Sequence, residues 1–142
     1  MSESRVIEFL PEHLLGFDDI EGRLDKVNRL EIGEFHKKAG PSASFEVDGK
    51  IVMCGGLHLL WEGVGESWMV LREGCIGPNV MLAARTWLDA TIVKHKLIRV
   101  AAVIPVGAKW ARTERFLRFG YEGTMRKFGP GGVDKALWAR VT

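Results

Sequence analysis

The middle of the chain constrains the fold most, because it predicts two strands joined by one long helix. Residues 67–71 are predicted to form a strand, and residues 72–77 follow as a glycine-bearing loop. Pro78 then opens a helical pattern, since its missing N–H would be unpaired in a first helical turn anyway. Residues 98–104 are a β-branched run, as expected for a central strand covered on both faces. This order predicts a right-handed crossover between two parallel, adjacent strands. The side chains expected to be buried there are Met81, Leu88, Ile92, Val100 and Ala102.

A helical region is predicted after Pro11, where apolar residues repeat every three or four positions. Gly16 is expected to divide it into two helices, with Asp18 or Asp19 capping the second and Gly33 ending it. The apolar stripe consists of Leu14, Phe17, Ile20, Leu24, Val27 and Leu30.

A hairpin is predicted before the crossover. The pair Asp48-Gly49 tolerates positive φ and joins a strand over 44–47 to one over 51–61. The paired glycines Gly55-Gly56 inside the second arm predict a bulge or another backbone passing close by.

The end of the chain predicts a helix over 107–119 and a closing hairpin. Gly120 is expected as the left-handed stop of that helix. Strands over 121–128 and 135–141 then flank a glycine-rich turn. With a first strand over 5–10, the order is β-α-α-β-β-β-α-β-α-β-β. It predicts a single α/β domain over residues 1–142, with a mixed central sheet flanked by helices.

Composition excludes several classes of protein. The 20 basic and 18 acidic side chains leave a net charge of +2, which does not indicate nucleic-acid binding. The apolar runs are far shorter than the roughly 20 residues of a membrane span, and no signal peptide opens the chain, so we expect cytoplasmic synthesis. Cys54 and Cys75 lack metal-ligand spacing, so we expect two buried thiols and no metal. For Cys75, beside a helix N-terminus, a nucleophilic role is the alternative.

The late segment Phe116-Leu117-Arg118-Phe119-Gly120-Tyr121-Glu122-Gly123 carries a family resemblance. Together with the central strand-loop-helix, it resembles the GNAT N-acyltransferase superfamily, in which a late helix ends in Tyr-x-x-x-Gly-Phe. Phe116, Gly120 and Tyr121 occupy the three matching positions. The resemblance covers most of the chain and implies a GNAT-like fold.

A narrower resemblance concerns a small phage-encoded GNAT-like subfamily that includes internal virion proteins of short-tailed phages. It is carried by residues 66–71, Trp110-Ala111, residues 120–126, Asp134 and Ala139-Arg140. It implies a bacteriophage structural protein, with other virion proteins or further copies of this chain as partners. The expected location is the host cytoplasm during synthesis and then the virion.

The loop after the first crossover strand, over residues 72–77, is the candidate cofactor site. Backbone N–H groups ahead of a helix N-terminus favour a pyrophosphate, and the GNAT resemblance implies acetyl-CoA there. The residues are Leu71, Arg72, Gly74, Cys75, Ile76 and Gly77. Gly74 stands one position early for the family pattern, Cys75 replaces its first glycine, and Glu73 adds a like charge, so the sequence predicts weak or absent binding.

Catalytic residues are not fixed by the sequence. Phe116 lacks the hydroxyl that many family members use to protonate the departing thiolate, and Tyr121 is expected to be packed. Residues 105–109 lack the asparagine that the family often has. The candidate general bases are Glu46, His58, Glu62, Glu66 and Glu73. For His58, a half-exposed strand histidine is the alternative.

A candidate interface lies on the two later helices. Trp87 and Trp110 are expected as exposed aromatic anchors, since tryptophan and arginine are enriched at interface hot spots. Arg112, Arg115 and Arg118 form a basic ridge with Lys109. The alternatives are tryptophans that pack inward and a ridge that is simply solvated.

Two functions follow. The first is a structural or assembly role in a virion, which the narrower resemblance and the altered loop favour. The alternative is an active acyl-CoA-dependent N-acyltransferase that acts on a small amine or a protein amine.

Overall fold

The computed structural model describes residues 3–17, 26–72 and 74–142. The strands in these residues are β1 Ser4–Glu8, β2 Ser42–Val47, β3 Lys50–Trp61, β4 Val64–Leu71, β5 Arg99–Pro105, β6 Gly120–Met125 and β7 Lys135–Val141. The helices are α1 Lys26–Ala39, α2 Pro78–Lys94 and α3 Ala108–Phe116, with short 3-10 helices at Pro11–Gly16 and Pro130–Gly132.

The strands form a mixed seven-stranded sheet in the order β1-β2-β3-β4-β5-β7-β6. β4 and β5 run parallel, with residues 64–66 opposite residues 99–101, and α2 connects them in sequence. β1 pairs with β2, β2 with β3, and β7 with both β5 and β6, all antiparallel. The predicted α/β class, its mixed sheet and the parallel crossover strands are confirmed.

The chain divides into two compact units, and β3, β4 and α2 each contribute to both. The first unit comprises Met1–Leu59 and Trp68–Ala84. Its core contains Phe9, Leu14, Phe17, Cys54 and Val70, with Ile51 and Trp68 packed against them. The second unit comprises Leu60–Ser67 and Arg85–Thr142. Its buried side chains include Leu88, Ile92, Val100, Ala102, Leu117 and Trp138.

Two glycines of the first unit are required by close approaches of the backbone. A Cβ on Gly33 would lie 2.8 Å from the Cα of Pro11, and one on Gly56 would lie 2.6 Å from the carbonyl oxygen of Pro41. The close approach at the paired glycines is therefore confirmed. The prediction that Gly33 ends the helix is wrong, because α1 continues to Ala39 and Gly33 instead makes room for Pro11.

The late helix ends differently from the prediction. α3 ends at Phe116, and the residue with left-handed backbone is Arg118, at φ 71°, rather than Gly120, which begins β6. The N–H groups of Arg118 and Phe119 close the helix end by donating to the carbonyl oxygens of Arg115 and Glu114. Backbone hydrogen bonds thus supply the stop that a glycine was expected to give.

Several burial predictions are also corrected. Met81 is only half-buried, while the other four side chains predicted to be buried in the crossover are buried. Leu30 is 39% exposed, although the stripe predicts it inside. Cys54 is buried but Cys75 is exposed, because it lies in the loop beyond the end of β4. The predicted caps Asp18 and Asp19, with Ile20, Leu24 and the side chain of Val27, lie outside the described residues.

None of the helices in the described part of the chain has the length and apolar content that a membrane crossing requires.

Candidate active site

β4 leads directly into an open loop and the N-terminus of α2. The turn after β4 is closed by the N–H of Cys75, which donates to the carbonyl oxygen of Arg72 at 3.2 Å, and Gly74 adopts a φ of 78°. Gly77 is the N-cap, since its carbonyl oxygen accepts from the N–H of Met81 at 3.2 Å. The N–H groups of the first helical turn have no acceptor within the helix. These N–H groups are therefore free to donate hydrogen bonds at the loop, where the positive end of the helix dipole also lies.

The described residues of this loop have open space beside two of their glycines. A Cβ on Gly74 or Gly77 would meet nothing within 4 Å. The side chain of Cys75 is exposed. Whether these residues bind acetyl-CoA stays a prediction. Glu73, the residue expected to repel that anion, lies outside the described residues.

The side chain of Arg72 is directed towards the 3-10 helix at Pro11–Gly16. Its Nη2 donates to the carbonyl oxygen of Gly16 at 2.5 Å, and its Nε donates to that of Ile51 at 3.4 Å. Its guanidinium carbon lies 5.1 Å from the centre of the Phe17 ring. Arg72 therefore fixes the start of the loop through neutral partners.

A cluster of aromatic side chains lies on β3, β4 and α1 of the same unit; we call His36, His58, Trp68 and Phe35 the histidine cluster. Nδ1 of His36 and Nε2 of His58 are 2.7 Å apart and share a hydrogen bond. The ring of His36 stacks on Trp68 with 3.9 Å between centres and 9° between planes. Phe35 contacts His58 edge-on at 5.2 Å. The cluster holds two titratable rings in one fixed arrangement.

Burial makes His36 a poor base by itself. Desolvation, followed by repulsion from the neighbouring His58, lowers the pKa of His36 to about 4. His36 is therefore a neutral imidazole at neutral pH. The indole Nε1 of Trp68 is also buried and has no hydrogen-bond partner among the described residues.

The carboxylates among the predicted bases differ in their surroundings. Glu46 forms an ion pair with Arg5, with 2.6 Å between Oε1 and Nη2. Glu62 is exposed, and Glu66 is half-buried in β4. Among the candidate bases that the structure describes, His58 is the one that belongs to the histidine cluster. There it is hydrogen-bonded to the titratable ring of His36.

The late helix carries no hydroxyl at the position expected of the family. Phe116 is 38% exposed, and the guanidinium carbon of Arg85 lies 4.5 Å from its ring centre. The prediction that Tyr121 is packed is wrong: it is 55% exposed, and its hydroxyl lies 2.5 Å from that of Thr124. The bulge between Tyr121 and Gly123 breaks the strand alternation on which that prediction depended.

The predicted interface residues lie partly at the surface. Trp87 and Trp110 are half-buried rather than exposed, whereas Arg112, Arg115 and Arg118 are exposed. Arg118 forms an ion pair with Asp89 at 3.4 Å, and the guanidinium carbon of Arg115 lies 5.7 Å from the Trp138 ring centre. The ridge is thus partly neutralised, and its role as an interface stays a prediction.

A third histidine, the half-buried His13, belongs to a chain of hydrogen bonds that runs from the exposed Leu10 into the core. Its Nδ1 accepts from the N–H of Leu10 at 3.2 Å and lies 2.7 Å from Oγ of Ser44, which in turn lies 3.4 Å from Sγ of Cys54. Ser44 and Cys54 have no exposed surface, and burial raises the pKa of the Cys54 thiol to about 11. This chain stabilises the core and leaves Cys54 unreactive.

The sequence missed His36 and Trp68 as members of a site. His36 lies 22 residues from its partner His58, on a helix whose extent was predicted too short. No local pattern links the two, because their pairing depends on how α1 packs on the sheet. In the described residues, no group of three or more His, Cys, Asp or Glu side chains is arranged to hold a metal ion.

Comparison with solved structures assigns the fold. No protein-family model matches the chain, and no curated protein matches it significantly in sequence. A GNAT-family acetyltransferase from Streptococcus pneumoniae aligns with a TM-score of 0.72 and 13% identity, over 99% of this chain and 100% of that one. A chimera of the Vibrio cholerae spermidine N-acetyltransferase aligns at 0.71 and 14%, over 99% and 95%. RimL, a ribosomal L7/L12 α-N-protein acetyltransferase in complex with coenzyme A, aligns at 0.69 and 12%, over 88% and 77%. The chain therefore has the GNAT fold.

Proposed function

We propose that this chain is an acyl-CoA-dependent N-acyltransferase. The observation that supports the proposal is the loop after β4. It leads directly into the N-terminus of α2, where backbone N–H groups are available to bind an anion. Similar folds belong to acetyltransferases, and one of them is a complex with coenzyme A. The fold by itself does not carry function, so the proposal depends on the loop and on the histidine cluster of the same unit.

In this proposal the loop backbone from Gly74 to Gly77 holds the pyrophosphate of the coenzyme. The bound thioester supplies the acyl group, and the chain's own residues bind it, orient it and accept a proton. Water protonates the departing thiolate, because Phe116 has no proton to give. The acceptor is a small amine or a protein amine; the compared enzymes include one named for spermidine and one for a protein α-amine.

A virion role, with virion proteins or copies of the chain as partners and a host or virion location, stays a prediction from the narrower resemblance. The expected weak binding of acetyl-CoA also stays a prediction. Its premise is altered, however, since the thiol of Cys75 is exposed and the loop has space around Gly74 and Gly77.

The test is transfer of an acetyl group from acetyl-CoA to a panel of primary amines and N-terminal peptides, with products identified by mass. Gly77→Glu places a carboxylate beside the expected pyrophosphate, while Gly77→Gln has the same shape without the charge. Because a nearby like charge opposes anion binding, we expect the glutamate variant to have a KM for acetyl-CoA at least about tenfold higher than the glutamine variant. Equal KM values in the two variants, or no transfer to any acceptor by the unmodified chain, would contradict the proposal.

A further inference from the structure

The hydrogen bond between the two histidines of the histidine cluster contains a single shared proton. When both rings are neutral, either Nδ1 of His36 or Nε2 of His58 carries the hydrogen between them. Burial keeps His36 neutral, so its Nδ1 can accept a hydrogen bond from Nε2–H of His58. A hydrogen bond with a charged donor is stronger than a neutral one, so this bond strengthens when His58 carries an additional proton.

We propose that His58 is the general base that takes the proton from the acceptor amine, and that His36 is the positioning residue that holds it. This inference rests on the proposed N-acyltransferase function. In the reaction an alkylammonium acceptor gives one proton to an imidazole nitrogen of His58, and the free amine nitrogen then forms a bond to the acyl carbon and loses its second proton to solvent. The carbon–sulfur bond breaks, and the thiolate that leaves takes its proton from water.

The neighbours of the pair fix its geometry and give it access to the surface. Stacking of His36 on Trp68, at 9° between planes, sets the direction of Nδ1. Trp68 itself packs edge-on against the fully buried Phe9 at 5.2 Å, so the stack is anchored in the core. On the other side Phe35 contacts His58 and is 60% exposed. The pair thus lies between the buried core and the exposed Phe35.

The unpaired indole N–H of Trp68 supports the same assignment. A buried donor without an acceptor is unfavourable, so such groups are rare in folded proteins. By contrast, the chain from Leu10 through His13 and Ser44 to Cys54 uses its polar atoms internally. The unpaired donor therefore distinguishes the histidine cluster from that chain.

The first test replaces the base. General-base catalysis contributes about 10²- to 10⁴-fold, so His58→Gln is expected to lower kcat at least about 100-fold while KM for acetyl-CoA changes less than about threefold. His95→Gln is the matched control, because His95 follows α2 and lies outside the histidine cluster. The loss in His58→Gln should be smallest for arylamines, which are already unprotonated near neutral pH. A kcat within about threefold of the unmodified chain for alkylamines would overturn the inference.

The second test separates positioning from packing at His36. His36→Asn keeps a hydrogen-bond acceptor for His58 and loses the ring, whereas His36→Phe keeps a ring to stack on Trp68 and loses the acceptor. Positioning through the hydrogen bond predicts a kcat for the asparagine variant at least about fivefold above that of the phenylalanine variant, with similar KM values. A merely structural role predicts the reverse order, and that order would overturn the inference. This comparison also decides the matter if His58→Gln does not fold, which circular dichroism reports.

The outcomes distinguish the two proposals. If the unmodified chain transfers no acetyl group to any acceptor, the proposed function fails and this inference fails with it. If the unmodified chain is active and the His58 and His36 variants retain its kcat, only the inference fails.

Discussion

His36 on α1 and Glu114 on α3 are both shifted towards their neutral forms by burial, but their surroundings differ. Burial alone raises the pKa of Glu114 to about 7, and the residue is 3% exposed. His36 has a second titratable ring as its hydrogen-bond partner and an indole stacked on its face. A buried ionisable group without a charged partner lowers the stability of the fold at any pH where it must ionise. A buried ionisable group that is hydrogen-bonded to another titratable group can instead exchange a proton with it. Under the proposed function, this difference is the reason for placing the general base in the histidine cluster rather than at Glu114.

The two groups also give stability opposite slopes with pH. Between about pH 4.5 and 7 the folded chain keeps a proton on Glu114 that the unfolded chain has lost, so stability falls as pH rises. Between about pH 4 and 6.5 the unfolded chain holds a proton on His36 that the folded chain excludes, so stability falls as pH decreases. In the range where they overlap the two slopes oppose each other, and single substitutions are needed to separate them.

The largest expected effect is on Glu114. Glu114→Gln replaces a buried ionisable carboxyl with a neutral amide. It should raise the free energy of unfolding by about 3 kcal/mol at about pH 8, because in the unmodified chain the carboxyl must ionise inside the fold at that pH. Below about pH 4.5 the variant and the unmodified chain should be equally stable. Urea unfolding at both pH values measures this, with the exposed Glu62→Gln as control. Equal stability of Glu114→Gln and the unmodified chain at the higher pH would mean that the carboxylate ionises freely.

A smaller effect is expected at His36. The unmodified chain should lose about 1–2 kcal/mol of stability at this site as pH falls from about 6.5 to 4, after allowance for the partial exposure of the ring. His36→Phe cannot be protonated, so its stability should not show that loss. The difference between the two chains, followed by urea unfolding across this range, is the measurement, and His95→Gln is the control. A constant difference across the range would show that His36 is protonated equally in both states.

Much of the fold follows from local patterns in the sequence. The β-branched run that became β5, the proline that opens α2 and the Asp48-Gly49 turn each depend on neighbours in sequence, and the structure has all three. Gly33 was misread because a glycine that ends a helix and one that admits another backbone look alike in sequence. Only the position of Pro11 distinguishes the two cases.

The site was less predictable because it combines residues from distant segments. The loop after β4 could be predicted, since a strand, a glycine-bearing turn and a helix N-terminus are contiguous there. The pairing of His36 with His58 could not, because it depends on the packing of α1 against β3 and β4. Glu114 is a related case: in the sequence it lies among the exposed arginines of the ridge, yet in the structure α3 buries its side chain.

Calorimetric titration of the unmodified chain with acetyl-CoA tests the central claim most directly, since every reaction proposed here begins with that binding step. The loop geometry predicts a saturable isotherm for one site per chain, with Kd in the range of about 1 μM to 1 mM that enzymes use for their substrates. Gly77→Glu should weaken this binding while Gly77→Gln should not. The titration is run at two temperatures, so that a binding enthalpy of zero at one of them is not mistaken for absence of binding. No binding heat up to about 1 mM acetyl-CoA at either temperature would contradict the acyltransferase proposal. It would support the weak binding that the altered loop pattern predicts.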